Sequence, residues 1–165
     1  MSTTVATTVV AAVVTLCMLV ACDPSTLVHT YAHVDGAAWK RTDTLQIESE
    51  MLDSGRVGRM YLDVRSNSSY PYMNLGILIE GIGPDSTVVF PQKEIDVQLL
   101  DSGGRANGGS SHEGIRISEV PIGALRMEKP GMYRFRIVQS MTDSILNGIC
   151  DVGLRIETMS AAASE

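Results

Sequence analysis

Three kinds of side chain in this 165-residue sequence could carry chemistry: the thiols Cys22 and Cys150, the histidines His29 and His33, and the string Ser110-Ser111-His112-Glu113. His29 and His33 stand four apart, a spacing that on a helix would turn two imidazoles toward one metal ion. No HExxH accompanies them, and no acidic or thiol third ligand has a place beside them, so no metal is expected. Ser110, His112 and Glu113 are the residue types of a hydrolytic triad. Neighbours in sequence cannot orient one another, because nucleophile, base and orienting group must come from separate elements. A GxSxG elbow is also missing. The glycine-rich run at 101–114 has neither GxxxxGK[ST] nor GxGxxG spacing, so it is no phosphate cradle. Pairs of Asp and Glu suited to glycoside cleavage could be drawn from anywhere in the chain and say nothing. No catalytic residue and no cofactor is expected, and the chain reads as non-enzymatic. Cys150 has no basic neighbour and reads as a small buried hydrophobe, so no disulfide is expected in the folded domain.

Cys22 stands in a different setting. It ends the run Leu19-Val20-Ala21-Cys22, directly after an apolar and small-residue stretch from Val5 to Val20. Small residues followed by a cysteine in this position resemble the lipobox of bacterial lipoproteins. There the thiol is alkylated by diacylglycerol and a peptidase cuts in front of it. The resemblance implies a signal peptide at 1–21, lipidation of Cys22 and attachment to a membrane through that lipid. A plain secretory signal and a transmembrane helix are the alternatives. The apolar run, about 16 residues long, falls short of the roughly 20 that a bilayer core requires. Its Thr and Ala content suits a signal h-region better than a permanent span, although Met1 to Thr4 supplies no Lys or Arg.

None of residues 1–21 is charged, so the chain that follows keeps all 13 basic and 19 acidic residues, a net charge of −6. That balance, with Lys40-Arg41 as the densest basic pair, excludes a nucleic-acid-binding face. The elements that would position any site are strands. Residues 22–43 read as a polar tether and lead-in segment, with Pro24 discouraging helix near the anchor. From residue 44 to 165 the pattern is period-2 alternation. Leu45, Ile47 and Met51 alternate with polar residues, as do Met60, Leu62 and Val64. Met73, Leu75, Ile77 and Ile79 should point one way. Val88 and Phe90 read as a short strand stopped by Pro91, with Ile95, Val97 and Leu99 in another. Ile115 and Ile117 follow, then Tyr133, Phe135 and Ile137, then Val152, Leu154 and Ile156. Phe135, Ile137, Leu154 and Ile156 should be buried on neighbouring strands of one sheet. A helical turn is expected near Ser140 to Leu146.

About eight one-faced strands must bury their apolar faces against a second layer. An all-β fold, an antiparallel β-sandwich following the signal peptide, is the simplest solution, and a barrel is the alternative. The 101–114 run should be a flexible Gly/Ser-rich loop on it. Tyr70-Pro71-Tyr72 sets two aromatics around a rigid proline, which suits either a stacking platform for sugar or peptide or packing at a strand entrance.

Longer strings add to this reading. Asn67-Ser68-Ser69-Tyr70-Pro71-Tyr72-Met73-Asn74-Leu75 resembles the N-x-x-YPY-x-NL segment of the gliding motility lipoprotein GldH family of Bacteroidota. Gly131 to Met141 is similar to that family's G-x-Y-x-F-x-I-x-Q-x-M, and Leu146 to Glu157 to its L-x-GI-x-DVGLRIE. The resemblance implies a lipid-anchored cell-envelope protein associated with the gliding machinery and with type IX secretion, acting by protein–protein interaction and without catalysis. It implies other envelope proteins of that machinery as partners, and an outer membrane in preference to an inner one. Gly103-Gly104-Arg105 lies near the family's GR element, which places Arg105 with Tyr70 and Tyr72 as a possible interaction surface. A carbohydrate-binding envelope sandwich using the two tyrosines is the competing function.

Overall fold

The structure is a computed structural model that describes residues 26–159 with the exception of 53, 108 and 113; Cys22 and the apolar stretch before it lie outside the described residues. Eleven strands follow in order: β1 Thr26–His33, β2 Ala38–Lys40, β3 Leu45–Met51, β4 Arg56–Ser66, β5 Asn74–Ile82, β6 Val88–Gln98, β7 Ser110–His112, β8 Ile115–Met127, β9 Gly131–Gln139, β10 Ile145–Asn147 and β11 Ile149–Thr158. A five-stranded sheet has the order β1-β11-β4-β8-β7, a four-stranded sheet the order β3-β9-β5-β6, and β2 pairs with β10. Every pairing is antiparallel. The all-β antiparallel sandwich expected from the alternation is what forms.

Alternation puts Met60, Leu62 and Val64 of β4 and Val152, Leu154 and Ile156 of β11 on the inner face of the larger sheet. Leu75, Ile77 and Ile79 of β5 and Tyr133, Phe135 and Ile137 of β9 form the inner face of the smaller one. These side chains are all buried in one cluster. Two such faces removed from water, at about 25 cal/mol per Å² of apolar area, are the main force holding the layers together.

Several expectations need correction. Residues before 44, read as tether and lead-in, supply strands to the sandwich from Thr26 onward among the described residues: β1 pairs along its length with β11 and buries Val28. In β1 the apolar Leu27 and Val28 are adjacent and Thr30 interrupts the Val28 to Ala32 row, so period-2 alternation is broken and the strand signal is weak. Phe135 and Ile137 are buried as expected, but they lie on the sheet opposite Leu154 and Ile156, not beside them. The stretches around Val88 and around Ile95 form one strand, β6, which continues through Pro91. This is possible because β6 is an edge strand, where a missing N–H costs no ladder bond. Met73 precedes β5 and is exposed. The Ser140 to Leu146 segment holds bends and the short β10 instead of a helical turn. The 101–114 run is partly built into the fold: Leu100 bridges Ala106, and β7 extends the larger sheet.

Because strands run the length of the sandwich, the connections divide between two ends. One end gathers the start of β1, the β3–β4, β5–β6 and β8–β9 turns and the end of β11. The other gathers the β1–β3, β4–β5, β6–β8 and β9–β11 connections, with the β2–β10 pair among them. An 11-residue strand such as β4 separates the ends by about 35 Å.

Candidate functional site

The strings that singled out Tyr70, Tyr72 and Arg105 converge on the second of these ends. Gly148 is the keystone. Its φ of +91° and the position a Cβ would take, 2.2 Å from the backbone nitrogen of Tyr70, admit only glycine. The Gly148 N–H donates to the Ala37 carbonyl at 2.7 Å and its own carbonyl accepts from the Asn67 N–H at 2.8 Å. Three connections are thereby fastened at one residue. Arg41 ties two of these connections again by donating to the carbonyls of Met141 and Thr142.

Within this cluster Tyr70 is buried at 3% exposure, and its hydroxyl donates to the Asn74 carbonyl at 2.7 Å. Burial holds its phenol well above the ordinary range. Tyr70 therefore cannot belong to an exposed surface; it is packing at a strand entrance. Tyr72 is half-buried and donates to Asp143 Oδ2 at 2.8 Å, a bond that raises its phenol pKa. The two rings meet edge to face, 5.7 Å apart at 73°, which offers no flat pair for a sugar to stack on. Arg105 is exposed, and both its Nε and Nη2 reach Asp101 Oδ2 at 2.8 Å. Asp101 also accepts from the backbone N–H groups of Gly103 and Arg105, and these donors, the Arg105 N–H foremost, hold its carboxyl below the usual range. The run around Arg105 is thus a shaped turn presenting a guanidinium.

The histidines sit elsewhere and do not converge. On β1, residues four apart are separated by about 13 Å, too far to share an ion. His33 Nδ1 meets Asp151 at 2.9 Å, while His29 Nε2 meets Asp63 at 3.1 Å. Among the described residues no group of three His, Cys, Asp or Glu is arranged to hold a metal. Cys150 is half-buried, and burial, then the Asp151 charge, pushes its thiol up, away from the reactive thiolate. Glu113 lies outside the described residues.

A second constellation was not signalled by any motif. It covers the outer face of the larger sheet, where strand register sets residues side by side. Tyr31 of β1 stands opposite Gly153 of β11, which stands opposite Asp63 of β4, which stands opposite Glu119 of β8. Gly153 has no side chain, so the Tyr31 ring lies flat over it; a Cβ there would fall 2.6 Å from Tyr31 Cε1. Asp63 is covered to 1% exposure although it points away from the core. Its Oδ2 accepts from Arg155 Nε at 3.2 Å, and Oδ1 has no hydrogen-bond partner. Arg155 also reaches Glu119 at 2.9 Å and Glu157, and its guanidinium stacks 4.4 Å from the Tyr61 ring centroid. Arg65 lies 4.1 Å over the Tyr31 ring. Ions and rings are here held in fixed geometry on an otherwise flat sheet. Such a layer can recognise a partner's polar groups, and it contains no nucleophile beside a base. Period-2 reading marks Asp63 and Arg155 as merely polar, because their pairing depends on which strands become neighbours.

Comparison with known proteins bears on both regions. The family described as GldH lipoprotein matches residues 26–156. The chain is 27% identical over 156 residues to a gliding motility lipoprotein GldH homolog of Christiangramia forsetii, covering 87% of this chain and 90% of that one. It is 26% identical over 148 residues to the gliding motility lipoprotein GldH of Flavobacterium johnsoniae, covering 85% and 89%. Among solved structures, an exo-beta-1,3-galactanase of Phanerochaete chrysosporium is similar over 78% of this chain and 26% of its own, at 12% identity and a TM-score of 0.41, a likeness too slight to carry an argument. The matched span runs from the first residue of β1 to Ile156 near the end of β11, and on that ground the chain belongs to the GldH lipoprotein family.

Proposed function

We propose that this protein is held to the cell envelope by lipid on Cys22 and serves the gliding and type IX secretion machinery as an assembly component, through protein–protein contact and without catalysis. The observation that carries the reading is the family match over 26–156, which spans nearly all of the sandwich and not a detachable motif. The chemistry of the two constellations supports it: fixed ion pairs, stacked rings and a presented guanidinium suit recognition. The edge-to-face tyrosines remove the feature on which a carbohydrate-binding reading rested. The outer membrane is proposed in preference to the inner one.

Chemical crosslinking of the intact lipoprotein in cells, followed by affinity capture, tests the reading. Envelope proteins of the gliding and secretion machinery should be recovered with the wild type and lost with Cys22→Ser. Gliding cells lacking the protein should stop spreading on agar. Recovery of no such protein from a strain that requires this chain for spreading would overturn the contact mechanism.

A further inference from the structure

Cys22 and Thr26, the first residue of β1, are separated by only Asp23, Pro24 and Ser25. Fully extended, that stretch of chain reaches about 14 Å, less than half the length of the sandwich. A lipid on Cys22 therefore fixes which end of the domain faces the bilayer. It is the end holding the β3–β4, β5–β6 and β8–β9 turns.

That end is also where the apolar surface lies. Among the described residues six large apolar side chains are exposed, and four of them, Leu52, Val88, Met132 and Met159, belong to it. Leu52 is 80% exposed at the tip between β3 and β4, the most exposed of the six. Beside it a cleft of about 210 Å³ opens between Leu27, Met51 and Met127. Scattered single exposed apolar residues need no explanation, but their concentration at one end does. Charge at this end is of both signs: Glu50 and Arg56 border the same cleft, and Lys129 is paired with Asp85 at 2.5 Å. The net charge of −6 disfavours an anionic surface.

We infer that the Leu52 end of the sandwich is a second, apolar membrane contact, seated in the interface of the bilayer that holds the Cys22 lipid. This rests on the lipid-anchor reading above. The two contacts divide the work: the acyl chains hold the protein, and the apolar rim fixes its tilt. Presented by a four-step tether, Leu52 meets lipid at a high local concentration, so a rim too weak to bind alone still engages. The far end, with Tyr72, Arg105 and Ile145, is then held about 35 Å above the headgroups and faces partners.

Tryptophan quenching by brominated acyl chains tests this. The full lipoprotein is purified from membranes and reconstituted in phosphatidylethanolamine vesicles, with and without bromine on the chains. Two variants are compared, Leu52→Trp and Ile145→Trp; the native Trp39 is 1% exposed and gives both the same background. The Leu52→Trp emission should shift to the blue and be quenched by bromine, unchanged in high salt, while Ile145→Trp emission should stay red and unquenched. Equal emission from the two variants overturns the inference. So does a blue shift at position 52 without bromine quenching, which would mean that protein, such as a second copy, covers the rim. Loss of the quenching in high salt would also overturn it, since the contact would be ionic. Mass analysis of the N-terminal peptide separates the two readings. A peptide without lipid overturns the anchor and this contact together; a lipidated peptide with unquenched Leu52→Trp overturns the contact alone.

Discussion

Tyr70 carries a phenol into a site where the charged form is penalised by burial, and its single hydrogen bond goes to a backbone carbonyl. The sign of the linkage follows. Its pKa in the folded state lies above the unfolded value near 10. The contribution to stability is therefore complete below pH 10 and declines as pH rises above it, because only the unfolded chain can release the proton. Thermal melts across pH 8 to 11.5 should show stability falling on the alkaline side, and less steeply in Tyr70→Phe. At neutral pH Tyr70→Phe should lose about 1 kcal/mol, the net worth of the bond to Asn74. Gly148→Ala should lose more, about 2–5 kcal/mol, since left-handed strain and overpacking against the Tyr70 backbone add together. Arg155 offers a third test. Replacing it with Met leaves Asp63 at 1% exposure without its guanidinium partner, a loss of about 3–5 kcal/mol by urea denaturation. Adding Asp63→Asn removes the orphaned charge, so the double variant should be more stable than Arg155→Met alone. A double variant that is worse would mean that the Asp63 charge is held by other groups on this face.

At the scale of elements, β1 is part of the sandwich and guards one edge of it. It covers one long edge of β11, and without it the Val152, Leu154 and Ile156 strand would present an open ladder and lose the cover of Val28. A chain starting at residue 34 should therefore aggregate or fail to give a cooperative melt, while one starting at residue 26 should melt as the full mature chain does. Leu154→Asp should unfold the domain, because a carboxylate would enter a fully buried inner face at a cost comparable to total domain stability, on the order of 5 kcal/mol or more. An unchanged melting temperature would mean that this face is not the core face. The same strands show how far the sequence could be read. β3, β4, β5, β9 and β11 are legible because each has one apolar and one polar face, and period 2 needs no knowledge of neighbours. Strand order is not in that pattern, so Phe135 and Leu154 could be assigned to the core but not to opposite sheets. β1 is hidden because Thr30 breaks its inward row of Val28 and Ala32 and Leu27 stands beside Val28, so no apolar alternation runs through it. The Asp63 layer is hidden because Asp63, Gly153, Tyr31 and Glu119 come from four strands, brought into one row only by register. Tyr70-Pro71-Tyr72 stands out in the sequence, but a buried phenol and an exposed one look alike in a string of letters.

At the scale of the whole molecule, attachment and folding should be separable. The sandwich closes its own core, and β1 begins after the short polar stretch Asp23-Pro24-Ser25, which has neither an apolar run nor a basic patch. The domain is acidic, and among the described residues no helix is long and apolar enough to cross a membrane. The exposed side chains at the Leu52 end are too few to hold a protein in membranes without help. On the reading proposed above, firm attachment comes from acyl chains on Cys22, each buried methylene adding about 0.8 kcal/mol. Cys22→Ser should block lipidation and the cleavage that depends on it, leaving an uncleaved precursor or a soluble periplasmic domain. Wild type should fractionate with membranes and take up radioactive fatty acid, whereas Cys22→Ser should take up none. The melting temperature of the domain should be the same in both, because no side chain of the sandwich needs the anchor in order to pack. A Cys22→Ser protein still cut after Ala21 and still in membranes after a high-salt wash would refute the lipid anchor. A Cys22→Ser domain that is soluble but melts at a much lower temperature would refute the independence of fold and anchor instead.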